Sequence, residues 1–366
     1  MPFKRPVVKK EASLTHPMMC DLHIHGGFGV DLMDMDHKQW DFFTHELYRS
    51  GVRAFCPTTL TASHTELNSA CERIGQFIRK TPKKLTLQAR ALGIHLEGPF
   101  LSSTAPGAHP ESELIRFSRA RIHELWEQSQ GTLKIITLAS ESLAPKDLKV
   151  LQVFAEKHSI QLSLGHTSCS AAMVHRLFKH GFRSVTHLFN AMSTHHRDAG
   201  AMSLALYPET TAEIIPDLTH VGAEHLALAM HLPSKLCFVS DGTPASLSKV
   251  ASRVVTKQCI AGVSMGPIRA FYRQNASFTS NGKLCGGSHT LPCMMEHTVR
   301  TLRRSPSSFH HELAASVLKG LPDFTWNHPL KALYQSTSKL PRDLSNKSHR
   351  IQWHNSSTKS IYWELV

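Results

Sequence analysis

Eight short apolar runs, six of them stopping at a polar or chemically competent side chain, recur along the chain: Met18 to Ile24, Val52 to Thr58, Leu92 to Glu97, Leu133 to Leu138, Ile160 to His166, Ser184 to His187, Ala212 to Asp217 and Leu236 to Asp241. Runs of this length between turn residues read as buried strands. Several of the stretches between them have helical spacing. Glu66 to Arg79 would turn Leu67, Ile74 and Ile78 inward, and Pro145 to His158 sets Leu148, Leu151 and Phe154 about one turn apart. Ser170 is placed to cap a helix reaching His180, with Met173 and Leu177 on one face. Strands alternating with helices imply a parallel sheet. Eight such units describe an α/β fold of the (β/α)8 TIM type, with its chemistry at the C-terminal ends of the strands.

A chain of 366 residues is long enough for one such barrel or for two ordinary domains. The expected division is an N-terminal segment over 1–20, the barrel over 21–320 and a C-terminal segment over 321–366, with a strand or two after Asn346. Beyond Asp241 the pattern loosens into loops such as Gly282 to Ser288. No apolar run approaches the ~18 residues of a membrane span, so no membrane partner is expected. The basic start, Met1 to Lys10, lacks the apolar segment of a secretory signal. The eight cysteines are scattered without a Cys-x-x-Cys pair, which argues against a zinc knuckle or a disulfide framework. A cytoplasmic protein is therefore expected.

The formal charge of +13 suggests an anionic partner: nucleic acid, a membrane surface or a phosphorylated small molecule. Residues 300–366 hold ten Lys and Arg against four Asp and Glu, so much of the excess can be solvated surface near the C-terminus. No basic run is interleaved with aromatics, which argues against single-stranded nucleic acid.

Chemistry concentrates at the ends of the runs. Ala91 to Leu101 ends its apolar part at Glu97, before Gly98-Pro99, which puts a carboxylate at the mouth of a core. Alone, that is a strand-end Glu paired with a Lys or Arg. The first run closes Asp21-Leu22-His23-Ile24-His25, and strand alternation turns His23 and His25 the same way, within reach of one metal. The fifth run ends at His166 and the sixth at His187. A lone strand-end His is usually a hydrogen-bonded structural residue. One carboxylate and two imidazoles from three strands match an open catalytic metal site better. Asp241, ending the eighth run, is either the N-cap of the next element or a general base and acid serving a metal-activated water.

His-Leu-Glu-Gly-Pro, Gly-His-Thr-Ser, Thr-His-Leu-Phe-Asn-Ala-Met and Val-Ser-Asp-Gly, in this order, resemble the N-acetylglucosamine-6-phosphate deacetylase family of the amidohydrolase superfamily, from about Asp21 to Leu291. The resemblance implies that Glu97, His166 and His187 hold a divalent cation, zinc or iron. It implies that His23 and His25 serve a second one in those members that bind two, and that Asp241 is the catalytic acid and base. Ala108 and His109 then match the loop that contacts the acetamido group. Asn190 and Ala191 match backbone contacts to the sugar, and Arg197 and His220 match the groups near its phosphate. Leu284, Cys285, Gly286 and Gly287 match a late loop that closes the pocket. A phosphosugar substrate and a homodimer are implied as well.

The chain departs from the family pattern in places. Members usually carry a few tens of residues before His-x-His, part of a small β domain, so a reduced or incomplete one from the chain ends is expected here. Thr15 to Cys20 replaces a Pro-Gly turn, Ser140-Glu141 stands where Pro-Glu is commoner, and the Met192 to Arg197 loop is one residue short. Other readings are an amidohydrolase acting on another N-acyl sugar or a cyclic amide, and a non-catalytic basic binding protein on the same barrel. Cyclic-amide hydrolases resemble one another in using a carboxylated Lys at the end of the fourth strand, where this chain offers only Lys134, at the wrong end.

Overall fold

The computed structural model describes residues 14–82, 87–193, 196–247, 261–273, 276–333, 344, 350–355 and 361–365. The basic start, part of the Met192 to Arg197 loop and parts of the tail after Asn346 lie outside the described residues.

All eight apolar runs are strands: Met19–Ile24, Val52–Thr59, Ile94–Glu97, Leu133–Leu138, Gln161–Leu164, Phe182–Val185, Thr211–Ile214 and Lys235–Phe238. Each pairs in parallel with the next, as a (β/α)8 barrel requires. The ring closes where the chain leaves the eighth strand. There the Asp241 N–H donates to the His23 carbonyl at 2.9 Å, and the His25 N–H donates to the Gly242 carbonyl at 2.7 Å. The Asp21 carboxylate braces this seam by accepting from the backbone N–H groups of Ser240 (3.1 Å) and His23 (3.3 Å). Closure thus sets His23, His25 and Asp241 side by side.

The helices follow their apolar spacing. His64–Lys80 starts at a capping box between Ser63 and Glu66 and buries Leu67 and Ile74, with Ile78 partly covered. Asp147–His158 buries Leu148, Leu151 and Phe154. Ala171–Lys179 is capped by the Ser170 hydroxyl, which accepts from the Met173 N–H, and it buries Val174 and Leu177. Among the described residues no helix is long and apolar enough to cross a membrane.

Two regions complete the fold. Trp326, Leu330 and Leu344 pack against Cys20, Leu22, Ala54 and Cys56, and the His328 ring meets the Leu236 carbonyl at 2.9 Å, near the start of the eighth strand. This segment lies under the end of the barrel opposite Glu97. Leu14–Pro17 pairs antiparallel with Arg350–Asn355, which pairs with Ile361–Leu365, so the two ends of the chain meet in one small sheet.

Among the described residues, the stretch after Asp241 forms strands where loops were expected. Gly242–Leu247 pairs with the first strand, and Val263–Met265, Ile268–Arg273, Ala276–Phe278 and Leu284–His289 form an antiparallel run joined to it. Leu284 to Gly287 is therefore the start of a strand rather than a closing loop. The strand can lie there because its glycines allow a close approach: a Cβ on Gly287 would stand 2.2 Å from the Ser240 carbonyl, and one on Gly286 would stand 2.4 Å from the Asp241 carbonyl. Gly287→Ala must push aside the Ser240 carbonyl, in the peptide that leads into Asp241. It is expected to cost ~1–3 kcal/mol, as overpacking does, and to lower turnover more than a surface Gly282→Ala; denaturant melts and initial rates check both.

Candidate active site

Glu97 ends the third strand and is 1% exposed. Five imidazoles converge on it. Its Oε1 is 3.0 Å from His187 Nε2 and 3.3 Å from His166 Nε2. Its Oε2 is 3.2 Å from His25 Nε2, and 3.4 Å from both His23 Nε2 and His109 Nε2. Asp241 Oδ1 joins from the closing seam, 3.3 Å from His25 and 3.4 Å from His23. The carboxylate so divides the cluster, with His166 and His187 on one oxygen and His23 and His25, shared with Asp241, on the other.

The backbone is bent to make this possible. His166, His187 and Asp241 all have positive φ (47°, 29° and 47°), a left-handed conformation that costs a non-glycine residue ~1–3 kcal/mol. Such outliers at three strand ends, all on one cluster, are where strain serves a site. The loop after His166 is held by Glu141, which accepts from the Thr167 hydroxyl and the Ser168 N–H, each at 2.5 Å. The Thr167 N–H donates to the Ala191 carbonyl at 3.1 Å, tying this loop to the one after His187.

Hydrogen bonds on the far side of three of the rings separate those histidines by role. His166 Nδ1 lies 3.0 Å from the Ala105 carbonyl and must donate to it, which leaves the Nε2 lone pair facing Glu97 and His187. His23 Nδ1 faces the Glu213 carboxylate at 3.2 Å, with the same result. His109 is the reverse. The Thr61 N–H donates to its Nδ1 at 3.3 Å, so its proton is on Nε2 and His109 is a donor rather than a ligand.

The electrostatics follow from burial and this crowding. Burial opposes charge on His23 and His25, but Glu97 and Asp241 overcome it, holding His23 well above the ordinary imidazole range and lifting His25 to about 9. Burial alone would raise Glu97; the facing His23 and the bonds from His109, His166 and His187 instead hold it well below the usual carboxylate range. Asp241 is likewise held low against its burial, chiefly by His23 and His25. Burial and the neighbouring His166 push His109 down to about 4, in keeping with a neutral donor.

The donor set fits a divalent cation. Nε2 atoms meet in pairs, His166 with His187 at 3.1 Å and His23 with His25 at 3.3 Å, each pair beside a carboxylate oxygen. Lone pairs so close repel unless a proton or a cation lies between them. Imidazole and carboxylate together suit zinc or iron rather than calcium or magnesium.

The remaining expected residues lie around this centre. Ala108 is half-buried beside His109, and Gly107 approaches the His166 ring closely enough that a Cβ would stand 2.9 Å from it. The Asn190 side chain turns back to the His187 carbonyl at 3.2 Å, and Ala191 has φ 48°. Arg197 is exposed on the loop after the sixth strand. His220 is held through Nδ1 by Asp217 at 2.6 Å, and its buried Nε2 lacks a partner among the described residues. Burial opposes its charge, and Asp217 outweighs that and raises its pKa. Leu284 is exposed, whereas Cys285, Gly286 and Gly287 are buried beside Asp241.

Beneath the cluster lies a polar layer that the pattern of apolar runs hid. His95 bridges the Leu22 carbonyl (3.0 Å) and the Thr137 hydroxyl (2.7 Å), and the hydroxyls of Thr186 and Ser163 continue the chain. Glu213 belongs to the same layer. The signal was available: His95 stands two residues before Glu97, on the same face of its strand, and Glu213 interrupts an apolar run.

No family model matches the chain. It is similar to N-acetylglucosamine-6-phosphate deacetylase of Bacillus subtilis, 34% identical over 249 residues, 67% of this chain and 62% of that one. It is also similar to N-acetylgalactosamine-6-phosphate deacetylase of Escherichia coli O157:H7, 30% identical over 231 residues, 62% of this chain and 59% of that one. The chain thus spans about three fifths of the length of these relatives. In fold it resembles N-acetyl-D-glucosamine-6-phosphate deacetylase of Mycobacterium smegmatis, a variant solved with N-acetyl-D-glucosamine-6-phosphate, at TM-score 0.75 and 19% identity over 97% of this chain and 88% of that one. The enzyme of the same name from Thermotoga maritima matches at TM-score 0.71 and 21% identity over 98% and 88%.

Proposed function

We propose, from the premise that this chain is a relative of the N-acetylglucosamine-6-phosphate deacetylases, that it hydrolyses the acetamide of an N-acetyl amino-sugar phosphate, N-acetylglucosamine 6-phosphate first, with the help of a divalent cation. The observation that carries this reading is the convergence of His166, His187, His23 and His25 on the two oxygens of Glu97, with Asp241 alongside.

Glu97, His166 and His187 would hold the principal cation, zinc or iron, and His23 and His25 a second. When bound, such a cation polarises a carbonyl and lowers the pKa of water. Asp241, kept ionised by its imidazole neighbours, takes the proton from the attacking water on Oδ1 and returns it to the amine nitrogen as the C–N bond breaks. His109, neutral with its proton on Nε2, donates to the oxygen that gains charge at the acetyl carbon. His220, steadied by Asp217, and Arg197 on the rim supply positive charge for the phosphate. Ala108, Asn190, Ala191 and the Leu284 to Gly287 strand shape the pocket between them.

The galactosamine epimer is the second reading, because one relative is named for it. Acetate release from the two 6-phosphate epimers and from plain N-acetylglucosamine separates the cases. Preference for a phosphorylated sugar supports the proposal, and equal turnover of phosphorylated and plain sugar contradicts it. Arg197→Ala is expected to lose one charge-assisted contact, ~1.5–3 kcal/mol, so kcat/KM should fall tenfold or more on the phosphosugar and little on the plain one.

A further inference from the structure

We infer that Glu213 is a positioning residue: its hydrogen bond to His23 Nδ1 turns the opposite nitrogen of that ring into a fixed ligand for a second cation beside Glu97 and Asp241. The inference rests on the proposed function and adds to it a residue outside the expected site.

Glu213 lies on the seventh strand with no exposure, between Ala212 and Ile214. A carboxylate in such a place is costly unless it is paired. Its Oε2 meets His23 Nδ1 at 3.2 Å, and its Oε1 has no partner among the described residues. An ionised carboxylate only accepts, so His23 keeps its proton on Nδ1, and Nε2, the atom 3.4 Å from both Glu97 Oε2 and Asp241 Oδ1, is the nitrogen left to offer its lone pair once a cation takes the place of a proton there. His25, the other member of the pair, has a buried Nδ1 without a partner among the described residues, so nothing comparable holds its tautomer. A carboxylate behind a ligating imidazole fixes the ring and raises its basicity.

His23, His95 and Glu213 also lie close enough to suggest an ion site of their own. The hydrogen bonds argue otherwise. Both His95 nitrogens are engaged, by the Leu22 carbonyl and the Thr137 hydroxyl, so that ring supports the layer rather than lending a lone pair.

The test is a zinc titration of the full chain against a competing chelator, with elemental analysis and the visible spectrum of the cobalt-substituted protein. Wild type should bind two equivalents. Glu213→Gln keeps the shape but not the charge; it should retain the first ion, weaken the second by ~10–100-fold and shift the cobalt spectrum. In a His23→Ala background, adding Glu213→Gln should change nothing further. Should Glu213→Gln fail to fold, Glu213→Asp, which keeps charge and loses reach, carries the same expectations. Two equivalents in wild type with unchanged second-ion affinity in the variant, or additive losses in the double variant, would overturn the role of Glu213 and leave the proposed function standing. A wild-type protein that takes up no divalent ion would overturn the proposed function itself.

Discussion

Glu97→Gln should abolish tight metal binding and turnover together. Five imidazole nitrogens lie within 3.4 Å of the two carboxylate oxygens, so this one side chain joins both halves of the cluster. An amide offers a single acceptor oxygen and no charge, and its NH2 group would point a donor where a lone pair is needed. Removing one partner from a buried charged cluster costs ~3–5 kcal/mol, which corresponds to a fall in cation affinity of a hundredfold or more. The same change leaves Asp241 as the one carboxylate that His23 and His25 still share, so the variant should also melt lower. Elemental analysis of the purified variant reads the first effect, and acetate release the second. Unchanged zinc or iron in Glu97→Gln would contradict the assignment.

Asp241→Asn separates proton transfer from metal binding. Asn keeps the size of the side chain and can still accept at one oxygen, but it takes no proton from water and returns none to the leaving amine. The principal cation should stay, since Glu97, His166 and His187 remain, while kcat falls by ~10²–10⁴-fold. The backbone contacts should survive, because the seam is made by the Asp241 N–H to the His23 carbonyl and by the Gly287 N–H to the Asp241 carbonyl. A normal turnover rate with a normal metal content would remove Asp241 from the mechanism.

Much of this was legible because four of the barrel strands end where the chemistry begins. An apolar run needs no partner information to be recognised, and Glu97, His166, His187 and Asp241 stand at the ends of four of them. His23 and His25 were legible from alternation. What stayed hidden depends on long-range geometry. Glu213 sits inside its run rather than at the end, and its purpose shows only when the seventh strand is brought beside the first, 190 residues away in sequence. His109 read as a loop residue near the acetamido group; its proton position depends on Thr61, 48 residues earlier. The antiparallel strands after Asp241 were missed for another reason. Leu284–His289 is a Gly- and Ser-bearing strand whose residues after Leu284 are held by neighbours on both sides, so its local pattern resembles a loop.

In the proposed function, a divalent cation at Glu97 is what lets this barrel remove the acetyl group of an amino-sugar phosphate. Acetate release from N-acetylglucosamine 6-phosphate, measured after chelator treatment and again after adding back zinc or ferrous iron, tests it most directly. Turnover should be lost on chelation and recover as metal is added back, up to two equivalents per chain. Turnover that survives removal of the metal, or no acetate at any metal content, would contradict it.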